Sequence, residues 1–228
     1  AAALLGVSLL GVGLASRDDA PEPQPAIARA LRAPTVRAPD PGPSREQAAL
    51  TARFRDGADR EQWRAASTAL LALLETYPSA LSDDDDKRRA RQVALRAAFG
   101  ELPGATDIFD ALTERAGPDG LEVLYDIVES QGGSKGAALA WERLKRPDVR
   151  GRFSPAMAVA VDLRLASCGE KPGLFERAGR DGDVRAARVL GILASPRCQS
   201  HRGECCYHEH DVLEAAVESI DARAATRE

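Results

Sequence analysis

Apolar residues recur at helical spacing along most of the chain beyond residue 44. The clearest stripe lies in residues 59–77, which are followed by Pro78. Its apolar positions are Trp63, Ala66, Leu70, Leu73, Leu74 and Tyr77. Because residues three and four apart share one face of an α-helix, the stripe predicts a helix with one buried side. The same pattern predicts helices over residues 83–99, 105–116, 119–130, 134–144, 155–167, 173–178, 183–194 and 211–224. The first of these presents Val93, Leu95, Phe99 and Leu102 as its apolar positions.

Several predicted helix starts have the spacing of a capping box, in which the N-cap residue is followed three positions later by a second polar residue. The pairs are Ser44 with Gln47, Ser82 with Asp85, and Asp211 with Glu214. Residues 155–165 are apolar on nearly all sides, and Ser154 and Pro155 suit the N-cap and first position of a helix. We therefore expect this helix to be the most central one.

Short connections between the predicted helices indicate antiparallel helix hairpins. Aromatic residues make up only 4% of the chain, whereas hydrophobic residues as a whole reach 44%. That composition favours helices packed through small residues over a sandwich of strands. The sequence predicts an all-α fold for residues 44–228. Because no fixed repeat period is found, it is either an irregular helical bundle or a short α-solenoid of antiparallel helix pairs.

Residues 1–16 form a separate segment that is apolar and carries no charged side chain. The segment is shorter than the roughly 20 residues that span a bilayer as a helix. Two interpretations stay open, a partial transmembrane helix or the hydrophobic region of a signal peptide. Either one predicts an extracytoplasmic protein of the cell envelope, periplasmic or secreted. The segment would anchor the protein to the membrane or direct its export.

Residues 17–43 contain seven of the 14 prolines of the chain. Proline fixes φ, lacks a backbone donor and biases the preceding residue toward extended geometry. The segment is therefore predicted to be a Pro-rich disordered linker between the apolar segment and the helical domain.

The formal net charge is −4, with acidic and basic residues interspersed. A nucleic-acid partner is not expected, because nucleic-acid-binding surfaces cluster Lys and Arg on one face. The most charged run is Asp83 to Arg89, at the start of a predicted helix. Acidic residues there offset the helix dipole, and spacing predicts i,i+4 ion pairs to the bases that follow. The expected pairs are Asp83 with Lys87, Asp84 with Arg88, and Asp85 with Arg89.

Three of the four cysteines and all three histidines lie between Cys198 and His210. In an exported protein an even number of cysteines indicates disulfide bonds. The four are Cys168, Cys198, Cys205 and Cys206. A bond between the adjacent Cys205 and Cys206 would strain the backbone, so Cys168 and Cys198 are each expected to bond elsewhere in the cluster. The alternative is a zinc site, with Cys198, His201, Cys205 and His208 as ligands.

The C-terminal half carries a set of short motifs. They are LYDI at 124–127, RFSPAMAVAVDLR at 152–164, Cys168, GDVR at 182–185 and GECC at 203–206. In these motifs the chain resembles the domain that follows the transmembrane helix in some receptor-type bacterial Ser/Thr kinases and that also occurs in secreted proteins. The resemblance implies an extracytoplasmic location and a helical fold, but it does not indicate an activity. Because the kinase motifs HRD and DFG are absent, the chain corresponds to the outer part of such a receptor or to a stand-alone relative.

Carboxylates are too numerous and scattered to nominate an acid/base pair, and no catalytic set is evident. The segment GGSKG at 132–136 lacks the full phosphate-loop motif and is expected to join two helices. We therefore predict a non-enzymatic binding or sensor module that needs no cofactor and binds a protein or another ligand. The alternative is a zinc-binding domain or metal-dependent enzyme centred on residues 198–210.

Overall fold

The computed structural model describes residues 43–198 and 204–226, and the regular structure of these residues is entirely helical. The prediction of an all-α fold is confirmed. The α-helices are α1 (Arg45–Asp59), α2 (Trp63–Thr76), α3 (Asp84–Phe99), α4 (Ala105–Glu114), α5 (Gly117–Ser130), α6 (Lys135–Leu144), α7 (Pro147–Arg150), α8 (Pro155–Leu165), α9 (Phe175–Asp181), α10 (Val184–Leu193) and α11 (Asp211–Ala225). A short 3₁₀ helix, Lys171–Leu174, leads into α9.

The predicted helix over residues 59–77 starts too early. Asp59 ends α1, and α2 begins at Trp63 after a turn in which Glu61 has a left-handed φ of 57°. The turn brings the two helices close together, because a Cβ on Gly57 would lie only 3.0 Å from the backbone nitrogen of Ala66. A small residue at this point lets the helices approach, which a search for apolar spacing does not detect.

Two of the predicted capping boxes are displaced by one residue. The Ser44 hydroxyl caps α1 by accepting a hydrogen bond from the Gln47 backbone N–H. For α3 the N-cap is Asp83 rather than Ser82, and for α11 it is His210, whose side chain makes no capping bond. Ser154 caps α8 as predicted, with Pro155 in the first helical position.

The helices pack chiefly on helices near them in the chain. The first group consists of α1 to α6, in which α3 contacts α1, α2, α4, α5 and α6. The second group consists of α8 to α11, in which α8 contacts α9 and α10, and α11 packs on the same two helices. Helix α8 buries Met157, Val159, Ala160, Val161 and Leu163, but α3 contacts more of the other helices, so the expectation that α8 is the most central helix is wrong.

Alanine supplies much of the buried surface. On α3 the buried apolar side chains are Ala90, Val93, Ala94, Ala97 and Ala98. The apolar spacing predicts that Phe99 lies on the buried face of this helix, but its side chain is 84% exposed. The prediction for Phe99 was wrong because small alanines, rather than the large side chains, face the other helices.

Residues 1–42, which include the predicted apolar segment and almost all of the linker, lie outside the described residues. Of the helices that are described, none has both the length and the apolar character required to cross a bilayer.

Candidate functional site

A cleft of about 690 Å³ lies between the start of α2, the second half of α3 and the start of α6. Its size is within the range of ligand-binding pockets in proteins. Apolar side chains, guanidinium groups and the α5–α6 connection all contribute to its walls. The cleft is the concave surface of this chain that we consider as a candidate binding site.

One wall of the cleft is a stripe of α3 formed by Arg91, Leu95 and Phe99. These residues are four apart, so successive members lie on one face of the helix. Arg91 and Leu95 are half-buried, and Phe99 is the last residue of α3. Single exposed apolar residues are common on protein surfaces, but an exposed phenylalanine at the edge of a cleft provides a contact for an apolar ligand group.

The opposite wall contains Trp63, the first residue of α2. The guanidinium of Arg96 lies over the indole ring, with its central carbon 5.5 Å from the ring centroid. This cation–π contact fixes both side chains at the edge of the cleft. The α1–α2 turn determines where Trp63 lies, because α2 starts immediately after it.

The third wall is the start of α6. The hydroxyl of Ser134 accepts a hydrogen bond from the Ala137 backbone N–H and so caps the helix. Gly136 lets α6 approach α3, because a Cβ on this residue would lie 2.9 Å from Leu95 Cδ2. Residues 131–134 join α5 to α6, and Lys135 and Gly136, which were expected in the connection, lie in the first turn of α6. Residues 132–136 match the pattern GxSxG, but a nucleophile elbow follows a strand and this segment follows α5.

Arg91 is half-buried and has no hydrogen-bond or ion-pair partner among the described residues. The other half-buried arginines all donate to a carboxylate, a hydroxyl or a backbone carbonyl; they are Arg89, Arg143, Arg164, Arg177, Arg185 and Arg223. Leaving the five donors of a partly buried guanidinium without acceptors is unfavourable. Burial raises the pKa of Asp126 on α5, and the charge of Arg91 opposes that rise without forming an ion pair. Arg91 therefore has donors that the described residues leave unused, and it lines both this cleft and the neighbouring one that contains Asp126.

Two other charged residues of the cleft are paired. Asp59 accepts two hydrogen bonds from Arg89, at 2.8 and 3.2 Å, and these lower the pKa of the Asp59 carboxyl. Lys135 donates to Glu101 at 2.7 Å, which lowers the pKa of Glu101. These contacts leave the guanidinium groups of α3 as the main positive charges that a ligand can reach.

A dense ion-pair network lies on the other side of Arg91. Lys87 is within 3.3 Å of Asp84, 3.1 Å of Asp119 and 3.0 Å of Glu122, so it links α3 to α5. Burial lowers the pKa of Lys87, but the bonds to Glu122 and Asp119 outweigh it, and the pKa lies above its usual value. The predicted i,i+4 pairs are wrong: the contacts within α3 are i,i+3, Asp84 with Lys87, Asp85 with Arg88, and Asp86 with Arg89.

Residues from three of the C-terminal motifs meet around the buried Tyr125. Arg164 donates to its hydroxyl at 3.1 Å, and the guanidinium groups of Arg164 and Arg185 lie 5.3 and 6.0 Å from its ring centroid. Asp183 caps α10 through the Arg185 backbone N–H and also accepts from the Arg185 side chain. Burial raises the pKa of Tyr125, and Arg164 opposes this. The motifs therefore form one structural network that joins the two groups of helices.

Two disulfide bonds close the C-terminal end. Cys168, which follows α8, bonds to Cys205, and Cys198, which follows α10, bonds to Cys206. The prediction of disulfide bonds is confirmed. Beside the disulfide bonds, the aromatic rings of Phe175, Tyr207 and His210 contact one another edge to face. The centroid of the Phe175 ring lies 5.4 Å from that of Tyr207 and 5.1 Å from that of His210.

The zinc alternative is not consistent with the described cysteines. Cys198 and Cys205 are both oxidised, and zinc is bound by thiolates rather than by disulfide sulfurs. His201 lies outside the described residues. His208 is exposed, and its Nδ1 lies 3.1 Å from the carbonyl oxygen of Ser195. A sulfur of Cys198, a sulfur of Cys206 and a carboxylate oxygen of Glu204 lie within 4.8 Å of one another, but the two sulfurs are bonded to each other.

The cleft was not predictable from the apolar pattern. That pattern marks Trp63, Leu95 and Phe99 only as apolar helix positions and assigns no role to Arg91. One available signal was the unbroken i,i+4 series of one arginine and two apolar residues on α3. A helix face meant for the core rarely carries an arginine without an acidic partner nearby.

Comparison with known proteins gives no match: neither a family model, nor a curated protein, nor a solved structure is similar to this chain. The resemblance to the outer domain of receptor kinases therefore stays a prediction.

Proposed function

We propose that this chain is a non-enzymatic binding module of the cell envelope, and that it binds a partner in the cleft between α2, α3 and α6. The observation that carries the proposal is the combination, in one concave surface, of the exposed Phe99 ring and the Arg91 guanidinium without an acceptor. Binding sites of this type supply an apolar contact and a small number of polar groups that fix orientation.

The chemistry of the lining supports binding rather than catalysis. The Ser134 hydroxyl is engaged as a helix cap, and the Asp59 carboxylate is held by Arg89. The cleft residues include no histidine or cysteine to serve as base or nucleophile. Sensor domains of receptors bind ligands without transforming them, so a role as the outer domain of a receptor is one form of the binding function proposed for this chain.

The extracytoplasmic location has two supports. Disulfide bonds persist in oxidising compartments and are rare in the bacterial cytoplasm, and this domain forms two of them. The apolar residues 1–16 and the proline-rich residues 17–43 are typical of an export or anchoring segment followed by a spacer. The domain would then be presented to partners outside the cytoplasm.

Photocrosslinking tests the proposal. p-Benzoylphenylalanine replaces Phe99 in one preparation and Ile192 in another; Ile192 is 67% exposed on α10 and distant in sequence from the cleft residues. Each is irradiated with an envelope extract of the organism that makes the protein. We expect a discrete adduct from position 99, lost when Arg91 is changed to Gln, and none from position 192. Equal adducts from both positions, or none from position 99, would contradict a binding role for the cleft.

A separate experiment tests the zinc-binding alternative, in which the cysteines would be metal ligands. The carboxylate of Glu204 lies beside the Cys198–Cys206 pair. Thiols are titrated in the purified chain without reductant, and bound metal is measured in the same sample. No free thiol and no zinc supports the binding module. Four free thiols with one equivalent of zinc supports the metal site.

A further inference from the structure

We infer that the cleft takes an extended peptide segment of a partner protein, in which one carboxylate side chain and one apolar side chain are four residues apart. The inference rests on the proposed function, and it adds the chemical class and the spacing of the ligand. Its basis is the order of side chains along α3 and the charge that the cleft leaves without a partner.

The spacing follows from helix geometry. Arg91 and Phe99 are eight residues apart on α3, and at about 1.5 Å per residue their Cα atoms are roughly 12 Å apart along the axis. An extended peptide rises about 3.3 Å per residue, so four residues cover roughly 13 Å. Side chains four apart in an extended segment also point to the same side. A peptide along α3 can therefore reach Arg91 with one side chain and Phe99 with another.

The charged end of the ligand is a carboxylate. Arg91 is half-buried with free N–H donors, and a guanidinium pairs with a carboxylate through two parallel hydrogen bonds. Arg96, five residues further along α3, adds a second positive charge to the cleft, where it stacks on Trp63. The positive charge of the cleft is thus complementary to an acidic side chain.

A run of acidic residues would fit less well. Glu61 also lines the cleft, and no ion pair or hydrogen bond of its side chain is found in the part of the chain that the structure describes. Its negative charge repels a second carboxylate on the side of the α1–α2 turn. This favours a single acid followed or preceded by uncharged residues.

The apolar end of the ligand packs against Phe99 and Leu95. The Phe99 ring is 84% exposed and ends the helix, so an incoming aromatic or branched side chain can cover one face of the ring without moving the backbone. Aromatic residues of this kind supply most of the contact area in peptide-binding surfaces.

The test uses an NMR titration of the full chain with three peptides of related composition. The first, Gly-Glu-Ser-Thr-Ser-Phe-Gly, has the inferred spacing. The second, Gly-Glu-Phe-Ser-Thr-Ser-Gly, has the same composition with the two groups adjacent. The third replaces Glu by Gln in the first. The chain has two tryptophans, so the indole N–H of Trp63 reports on the cleft and that of Trp141, which is not a cleft residue, serves as an internal control.

We expect the first peptide to shift the Trp63 signal, to leave Trp141 unchanged, and to bind about tenfold more tightly than either control peptide, because each control can make only one of the two contacts. Arg91→Gln should remove that tenfold preference for Glu over Gln. Arg64→Gln, which neutralises an exposed arginine of α2 outside the cleft, should not change it.

Equal affinity for the three peptides, a preference that survives Arg91→Gln, or no shift of Trp63 would each overturn the inference. None of these results prevents an adduct at position 99 in the crosslinking experiment. An adduct at position 99 together with no peptide binding would keep the proposed function and reject the peptide class.

Discussion

The two disulfide bonds make a quantitative prediction, because they close loops of very different length. Cys168 and Cys205 are 37 residues apart in sequence, whereas Cys198 and Cys206 are 8 apart. In the chain-entropy treatment, cross-linking removes conformations from the unfolded ensemble, and the effect grows with the logarithm of loop length. Removing the longer link should therefore reduce the free energy of unfolding by about 4 kcal/mol, and removing the shorter one by about 2.6 kcal/mol.

The perturbations are two double variants, Cys168→Ala with Cys205→Ala, and Cys198→Ala with Cys206→Ala. Alanine is preferred to serine because Cys205 packs against the apolar core. Urea unfolding followed by far-UV circular dichroism, without reductant, gives the two free energies of unfolding and the m-values. The wild-type protein in reductant should lose at least as much stability as the less stable variant.

Losses of equal size, or a greater loss for the shorter loop, would refute the reasoning. Either result would mean that contacts of the native state, rather than the entropy of the unfolded chain, determine what these bonds contribute. Comparable m-values in the two variants are needed for the comparison, since a change in m reports a change in the compactness of the unfolded state.

Three further predictions concern the helical body. Gly120→Ala places a Cβ 2.2 Å from the Leu112 carbonyl oxygen and should lower the free energy of unfolding by about 1 to 3 kcal/mol. Gly191→Ala meets no neighbour and should raise the free energy of unfolding by up to about 1 kcal/mol. Thermal unfolding in which both variants change stability in the same direction would contradict this. Asp183→Ala should cost about 1 kcal/mol at pH 7 and more than Asp183→Asn, which keeps a capping oxygen. Burial raises the pKa of Asp183, but Arg185 and the backbone N–H groups lower it below its usual value overall, so the charge contributes stability above about pH 4 that is lost as the pH falls through the folded-state pKa; a wild-type advantage over Asn that does not shrink as the pH is lowered would disprove this. Arg55→Met removes two hydrogen bonds from the buried Asp86 carboxylate and should lower the free energy of unfolding in urea by about 2 kcal/mol. A change below about 0.5 kcal/mol, the size expected for a surface ion pair, would contradict this prediction.

The fold class was predictable because helical periodicity and caps are local signals. Ser44 and Ser154 cap their helices as the sequence indicates, and the fold is all-α. Disulfide bonding was also predictable in outline, since a bond between adjacent cysteines is disfavoured and the remaining partners are few. These inferences needed only the order of residues and the geometry of one turn.

What the sequence could not determine was how the helices approach one another. The break after Asp59 depends on the contact between Gly57 and Ala66, and the ion pairs of α3 depend on which acids α5 brings next to Lys87. Unlike Arg88 and Arg89, Arg91 has no aspartate three positions before it, and only the packing of α5 on α3 decides that no other helix brings it an acceptor in the described residues. Whether a charged group is paired is decided by packing between helices, because partners come from residues distant in the chain. The sequence by itself determined that there are helices and cross-links, and only the tertiary structure decided that three of those helices form a cleft in which Arg91 meets no acceptor from residues 43–198 and 204–226.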